Sequence, residues 1–178
     1  MDRKNGNWTI KNTEKIFANE FFKIHQDDVV RPDGKQSKYA TIDIKPGVAI
    51  LPIDDQGFVY LTCQFRYAIG RHNIECIGGT VEDEEIISDA KRETREELGI
   101  SAGEWISAGK IEVITAITNS HSYLFLAHKL SFGKPETEGS EEIELVKIKL
   151  DEAFEKVMKG EITHGETCVI ILKAYAQK

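Results

Sequence analysis

The 178 residues carry 23 Lys and Arg against 30 Asp and Glu, a formal net charge of −7, with 40% hydrophobic residues. That is the composition of one soluble globular domain with at most a small appendage, long enough to bury a core. An acidic balance argues against nonspecific nucleic-acid binding, which needs basic patches, but not against a phosphorylated small molecule, because a bound cation can reverse the sign of charge inside a site.

Three widely spaced cysteines, Cys63, Cys76 and Cys168, occur without a C-x-x-C pair and read as reduced thiols, Cys63 and Cys76 within apolar runs. The opening M-D-R-K-N-G-N-W has no apolar signal core, and no apolar stretch approaches the ~18 residues of a membrane span. The expectation is a cytoplasmic protein that engages neither membrane nor nucleic acid.

Residues 1–13 are polar and are expected to fray, with Trp8 and Ile10 able to pack. Ile16 to Val30 reads as one or two strands. Arg31-Pro32-Asp33-Gly34 is a turn signal, and Ser37 to Ile44 alternates as a further strand. Residues 1–45 therefore predict a small antiparallel sheet, marginal alone, that packs on the main body or on a second subunit. Residues 46–178 form the main domain. Val48–Pro52 suits a buried strand, and Asp54–Gly57 is a turn into a strand over Phe58–Phe65, predicting a hairpin.

A polar loop, Arg66 to Asn73, leads to a short strand over Ile74–Ile77 and the pair Gly78-Gly79. A helix is predicted over about Glu85–Leu98, with Ile87, Ala90, Thr94 and Leu98 as its buried stripe and Gly99 as its stop. Strands follow over Trp105–Thr115, Tyr123–Leu130 and Glu141–Leu150, then a helix from Asp151 to Lys159. The last helix, Thr163–Ala176, has Val169, Leu172 and Tyr175 in step. Strands enclosing helices in this order predict an α/β sandwich with a mixed sheet.

The stretch from Gly78 to Ile100 carries the chemistry. Glu93, Glu96 and Glu97 are spaced i, i+3 and i+4, which places three carboxylates on one helix face at a cost in like-charge repulsion. A charged helix face alone is most simply a solvated surface. Here the glycines permit close backbone approach, and Arg92, four residues before Glu96, can act as an internal strut, paired with Glu96 or with Glu84. Clustered carboxylate oxygens suit Mg²⁺ or Mn²⁺, and cations held there could polarise a phosphoryl oxygen and activate water for phosphoanhydride hydrolysis.

This stretch resembles the Nudix box, G-x5-E-x7-R-E-U-x-E-E-x-G-U, through Gly78, Glu84, Arg92, Glu93, Thr94, Glu96, Glu97, Gly99 and Ile100. Thr94 stands where an aliphatic residue is usual, and Gly79 competes with Gly78 for the first glycine's place. Outside the box, Gln64-Phe65-Arg66-Tyr67, Glu75-Cys76-Ile77-Gly78-Gly79 and residues 141–176 resemble the ADP-ribose pyrophosphatase branch, as do the N-terminal strands. The resemblance implies a Nudix-type α/β/α sandwich with a mixed sheet plus a small N-terminal antiparallel sheet that serves in a homodimer.

It further implies Mg²⁺- or Mn²⁺-dependent hydrolysis of ADP-ribose or a related nucleoside diphosphate sugar to a nucleoside monophosphate and a sugar phosphate. Gly78 (through its carbonyl), Glu93, Glu96 and Glu97 would hold metal, with Glu84, Arg92 and Glu96 in the catalytic machinery. Arg66 and Glu75 would bind substrate. A late acidic loop would supply the base, with Glu141 the best positional match and Glu138 and Glu142 its competitors. Two departures bear on substrate: Ile77-Gly78 replaces the usual Pro-Ala, and the segment Thr115-Ala116-Ile117-Thr118 lacks a proline common in ADP-ribose enzymes. The alternatives are a nucleoside triphosphate or dinucleotide pyrophosphatase and a non-catalytic nucleotide-sensing Nudix module. His121, in a polar segment, reads as solvated, and Trp8, Phe21 and Phe22 as core or dimer contacts.

Overall fold

The computed structural model describes residues 2–82, 84–136 and 143–178. Internal contacts divide the chain into two units, Met1–Lys45 with Glu112–Ser120, and Pro46–Ile111 with His121–Lys178.

The first unit is an antiparallel sheet of β1 (Arg3–Asn5), β2 (Trp8–Ala18), β3 (Phe22–Val30) and β4 (Gln36–Ile44), in that order. The expected fraying at the N-terminus does not occur, because Ile10 and Trp8 anchor the start of β2. Ile10 is buried, and Trp8 meets Tyr39 edge-on at 5.7 Å between ring centroids. Register breaks at Ile10/Asn12 and Lys15/Phe17 twist β2 along its length. Glu112–Ser120 joins this unit through hydrogen bonds from the Ile42 amide to the Ile117 carbonyl (2.7 Å) and from the Tyr39 hydroxyl to the Ala116 carbonyl (2.5 Å).

The second unit holds two sheets and three helices. β5 (Gly47–Pro52), β8 (Ile77–Thr80), β9 (Ile100–Glu112) and β10 (His121–Phe132) form one sheet in the order β8-β5-β10-β9. It is mixed: β5 runs parallel to β10, with Phe125 opposite Ile50, and antiparallel to β8, with Ala49 opposite Gly78. The other sheet joins β6 (Phe58–Arg66) to β7 (Arg71–Glu75) and β11 (Glu144–Lys149). The helices are α1 (Ile86–Leu98), α2 (Leu150–Met158) and α3 (Gly165–Ala176).

β5 is apolar throughout because both of its faces are covered. Val48 and Ile50 pack in a cluster with Ala90, Ile87 and Leu98 of α1, while Ala49 and Leu51 pack with Ile170, Ile171 and Ala174 of α3. β10 alternates in the same way, with Tyr123 and Phe125 toward α1 and Leu124 and Leu126 toward α3. Ile50, Leu51, Leu61 and Ile77 are wholly buried, each removal from water being worth about 1.5–3 kcal/mol.

Two local expectations need correction. The turn after β5 forms, with the Gly57 amide bonded to the Asp54 carbonyl at 2.9 Å, but β5 and β6 do not pair beyond a single Ile53–Val59 bridge. Both edges of β5 are taken by β8 and β10, so β6 pairs with β7 and β11 instead. On α3 the buried residues are Thr167, Ile170, Ile171 and Ala174, while Leu172 and Tyr175 lie at the surface.

Candidate active site

α1 carries the acidic face. Its polar Thr94 is wholly buried because the hydroxyl donates back to the Ala90 carbonyl at 2.7 Å, which lets a threonine occupy an aliphatic position. Gly99 ends the helix in the left-handed region, φ 64°. A Cβ there would also come within 2.7 Å of the Gly133 carbonyl oxygen.

Arg92 is the strut that its spacing implied, with partners both expected and not. Its Nη1 lies 2.9 Å from Glu93 Oε1 and 3.0 Å from Glu96 Oε2, and Nη2 lies 3.1 Å from Asp89 Oδ1. Glu84, the other expected partner, is exposed just before α1 and makes no such contact. Asp89 was missed by the sequence reading, although its i, i+3 spacing to Arg92 was a usable signal. It is wholly buried and also accepts the Glu82 amide at 3.0 Å, so it anchors the approach loop and the arginine together. Burial alone would lower the pKa of the guanidinium, but the Asp89, Glu93 and Glu96 carboxylates outweigh that and raise it. Arg92 stays charged.

Glu93 lies directly over Gly79. An added Cβ at Gly79 would fall 2.1 Å from Glu93 Cδ and Oε1, whereas one at Gly78 would meet only the Val48 carbonyl oxygen at 3.6 Å. The glycine whose bareness the site requires is therefore Gly79. Burial, reinforced by Glu96, raises the Glu93 carboxyl above its ordinary value against the pull of Arg92. Glu97, on the same face, has its Oε2 buried. Among the described residues no three acidic, His or Cys side chains stand close enough to form a finished metal cage. The donor set nonetheless fits a hard cation: carboxylate oxygens only, one of them held disfavourably charged over a bare backbone.

A second polar cluster lies beside β7 and α3. Glu75 is buried and takes a forked contact from Arg66, Nε at 3.1 Å to each oxygen and Nη2 at 2.5 Å to Oε2, with Asn73 Nδ2 at 2.9 Å. Burial would raise the Glu75 carboxyl, but Arg66 and Asn73 hold it below its ordinary value. His164 Nε2 sits 2.8 Å from Glu166 Oε2 and 3.9 Å from Glu75 Oε2. Glu166 also accepts the Ser122 hydroxyl. The Thr167 hydroxyl bonds His164 Nδ1 at 2.8 Å and takes the Cys76 amide at 2.7 Å.

Sequence reasoning singled out Arg66 and Glu75 but not His164 and Glu166, which come beside Glu75 only through the fold. The buried Cys76 thiol, pushed up to about 12 by burial, feels Glu166, Glu75 and Glu97, so the two clusters flank one residue. His121, expected to be solvated, is half-buried and bonds the Tyr123 hydroxyl at 3.0 Å. Glu141, Glu138 and Glu142 lie outside the described residues.

Known proteins resemble this chain over most of its length. Residues 43–167 match the model of the NUDIX domain, and residues 8–42 match that of the nucleoside diphosphate sugar hydrolase N-terminal domain. An ADP-ribose pyrophosphatase of Bacillus subtilis (strain 168) is 30% identical over 89% of this chain and 87% of its own. One of Mycobacterium tuberculosis is 26% identical, over 92% and 81%. A methanol dehydrogenase activator of Bacillus methanolicus is 27% identical, over 92% and 89%. A crystal structure of an ADP compounds hydrolase superposes with a TM-score of 0.86 over 98% of this chain and 96% of that one, at 18% identity, which speaks to the fold. With the domain match running through the glycine pair, the Arg92 strut and the acidic face of α1, the chain belongs to the Nudix hydrolase family, in its ADP-ribose pyrophosphatase-like branch.

Proposed function

We propose that this enzyme hydrolyses the diphosphate bond of a nucleoside diphosphate sugar, ADP-ribose foremost, to a nucleoside monophosphate and a sugar phosphate. The observation that carries the reading is Glu93 laid over the bare backbone of Gly79, with Arg92 pinned between Asp89 and Glu96 behind it. Enzymes of this family generally work with divalent metal ions. In the proposal that ion is Mg²⁺, with Mn²⁺ as a substitute, held by Glu93, Glu96, Glu97 and the Gly78 carbonyl. Bound there, it would neutralise phosphoryl charge and lower the pKa of bound water.

The remaining roles follow from position. Arg92 fixes the carboxylates, and Glu84, exposed just before α1, is proposed as part of the catalytic machinery. Arg66, held by Glu75, offers its guanidinium to the diphosphate, as a planar fork does well. Glu141 is proposed as the base, with Glu138 and Glu142 as the other candidates. The names of the relatives from Bacillus subtilis and Mycobacterium tuberculosis support ADP-ribose as the first substrate to try. The proposal includes a cytoplasmic homodimer built through the N-terminal sheet of residues 1–45, with residues 46–178 as the catalytic domain.

The test is a panel of nucleotide sugars with Mg²⁺, with products read after phosphatase treatment, on the parent and Glu97→Gln. The expected result is turnover of ADP-ribose by the parent and a loss of about 10²–10³-fold in the variant. Parental activity in the variant, or a parent silent on every nucleotide sugar, would overturn the reading.

A further inference from the structure

We propose that His164 is a positioning residue for substrate recognition: its proton sets the local charge around Arg66 and thereby how tightly the site takes a diphosphate. The inference rests on the diphosphate reading above and extends it to a residue outside the acidic helix face.

The geometry is a chain of alternating charge. Arg66 at the end of β6 grips Glu75 at the end of β7. His164, just before α3, lies between Glu75 and Glu166, and Glu166 reaches Ser122 at the start of β10. Of these groups Glu75 is buried and Arg66 is about half exposed, with a side-chain exposure of 46%. Arg66 is thus the end of the chain that meets an incoming anion. Counted as charges, Arg66 is +1 and Glu75 and Glu166 are −1 each. The sum is −1 with a neutral imidazole and zero with an imidazolium. Whatever else touches Arg66, a diphosphate therefore meets a cluster one charge more positive with the imidazolium than with the neutral ring.

Among the described residues, the groups facing His164 are Glu166 from α3, Glu75 from β7, Arg66 from β6 and the Thr167 hydroxyl. The Cys76 thiol nearby stays protonated and contributes no charge. Burial, and the positive end of α3 at which His164 sits, oppose the imidazolium. The two carboxylates outweigh burial and raise the group above its ordinary value. Proton exchange needs no movement of the ring. In either state Nε2–H donates to Glu166. The Thr167 hydroxyl donates to Nδ1 of the neutral ring and accepts from Nδ1–H of the charged one.

The two substitutions that break the His164–Glu166 pair have opposite electrostatic signs, which separates positioning from mere structure. His164→Gln removes the titrating charge. Glu166→Gln removes a negative one. KM and kcat for ADP-ribose are measured from about pH 6 to about pH 8.5, beside calorimetry of inorganic pyrophosphate with chelator present. Against the His164→Gln profile, the parent is expected to lose about ten-fold in affinity as pH rises, with kcat moving less than about two-fold. His164→Gln binds weakly at the acid end with a flat profile, and Glu166→Gln binds more tightly than the parent at the alkaline end. A His164→Gln profile that follows the parent's, both variants weakening binding alike, or a fall in kcat at constant KM would overturn the proposal. If the parent turns over no nucleotide sugar, the substrate reading fails, and the pyrophosphate titration decides this one by the same signs.

Discussion

Gly79→Ala isolates the contact on which the acidic face depends. The added methyl would lie 2.1 Å from Glu93 Cδ and Oε1 and 2.4 Å from Cγ. Ordinary carbon contacts are about 3.5–4.0 Å, so the Glu93 carboxyl must retreat by roughly 1.5 Å. The clash falls on the far end of the Glu93 side chain, which can swing once its 2.9 Å contact with Arg92 gives way, so the stability cost should sit within the about 1–3 kcal/mol of overpacking, or a few degrees in Tm. The functional cost should be far larger, because a misplacement of about 1 Å can lower a rate by about 10²-fold. The assay is kcat/KM for ADP-ribose together with the Mg²⁺ concentration for half activity, in Gly79→Ala, Glu93→Gln and the double variant. If the alanine acts only by displacing Glu93, the double variant should be no worse than Glu93→Gln. Parental activity in Gly79→Ala, or a further 10²-fold loss on top of Glu93→Gln, would refute the reasoning.

Arg92→Ala should lower stability as well as activity, because it removes the charge that Arg92 sets 3.1 Å from wholly buried Asp89; breaking such a pair costs about 3–5 kcal/mol, and an unchanged Tm would count against the strut. Arg92→Lys should recover part of the stability but little kcat, since a point charge cannot span Asp89, Glu93 and Glu96 together. Thermal stability should also depend on pH. Glu75 and Glu166 are held below their ordinary 4.5, so their stabilisation is present above that value and disappears as pH falls through their folded values. His164 is held above its ordinary 6.5, so its contribution is full below that value and disappears as pH rises through the folded one. Tm measured against pH should peak between these limits, and Glu166→Gln should flatten both sides.

The acidic helix was legible because its information is local. The spacing of Arg92, Glu93, Glu96 and Glu97 fixes one face of one helix wherever that helix sits. Thr94 looked like a flaw until the fold supplied a buried back-bond to Ala90. The α3 stripe was misread because V-I-I-L is apolar on every side, so periodicity cannot say which face turns inward; the sheet chose Ile170, Ile171 and Ala174. The β5–β6 hairpin was misread because a turn signal reports chain reversal, not pairing, and the edges of β5 were already taken by β8 and β10. His164 and Glu166 gave no local pattern. Their meaning comes from Glu75 and Ser122, which pairing of β6 with β7 and of β5 with β10 brings beside them.

The first unit is discontinuous in sequence, and this has a consequence for how the chain is made. Its four strands leave the ribosome early, but Glu112–Ser120, which takes hydrogen bonds from Ile42 and Tyr39, is translated only after most of the catalytic sheet. At about 5–20 residues per second, β4 waits roughly 4–15 s for that partner. During that interval Tyr39 and the Ile42 amide remain open to other strands. A deletion ending at Lys45 would reverse the fault, leaving Ile114 and Ile117, already about half exposed, without the sheet they were made for. The appendage and its distant loop must therefore be kept or removed as one piece.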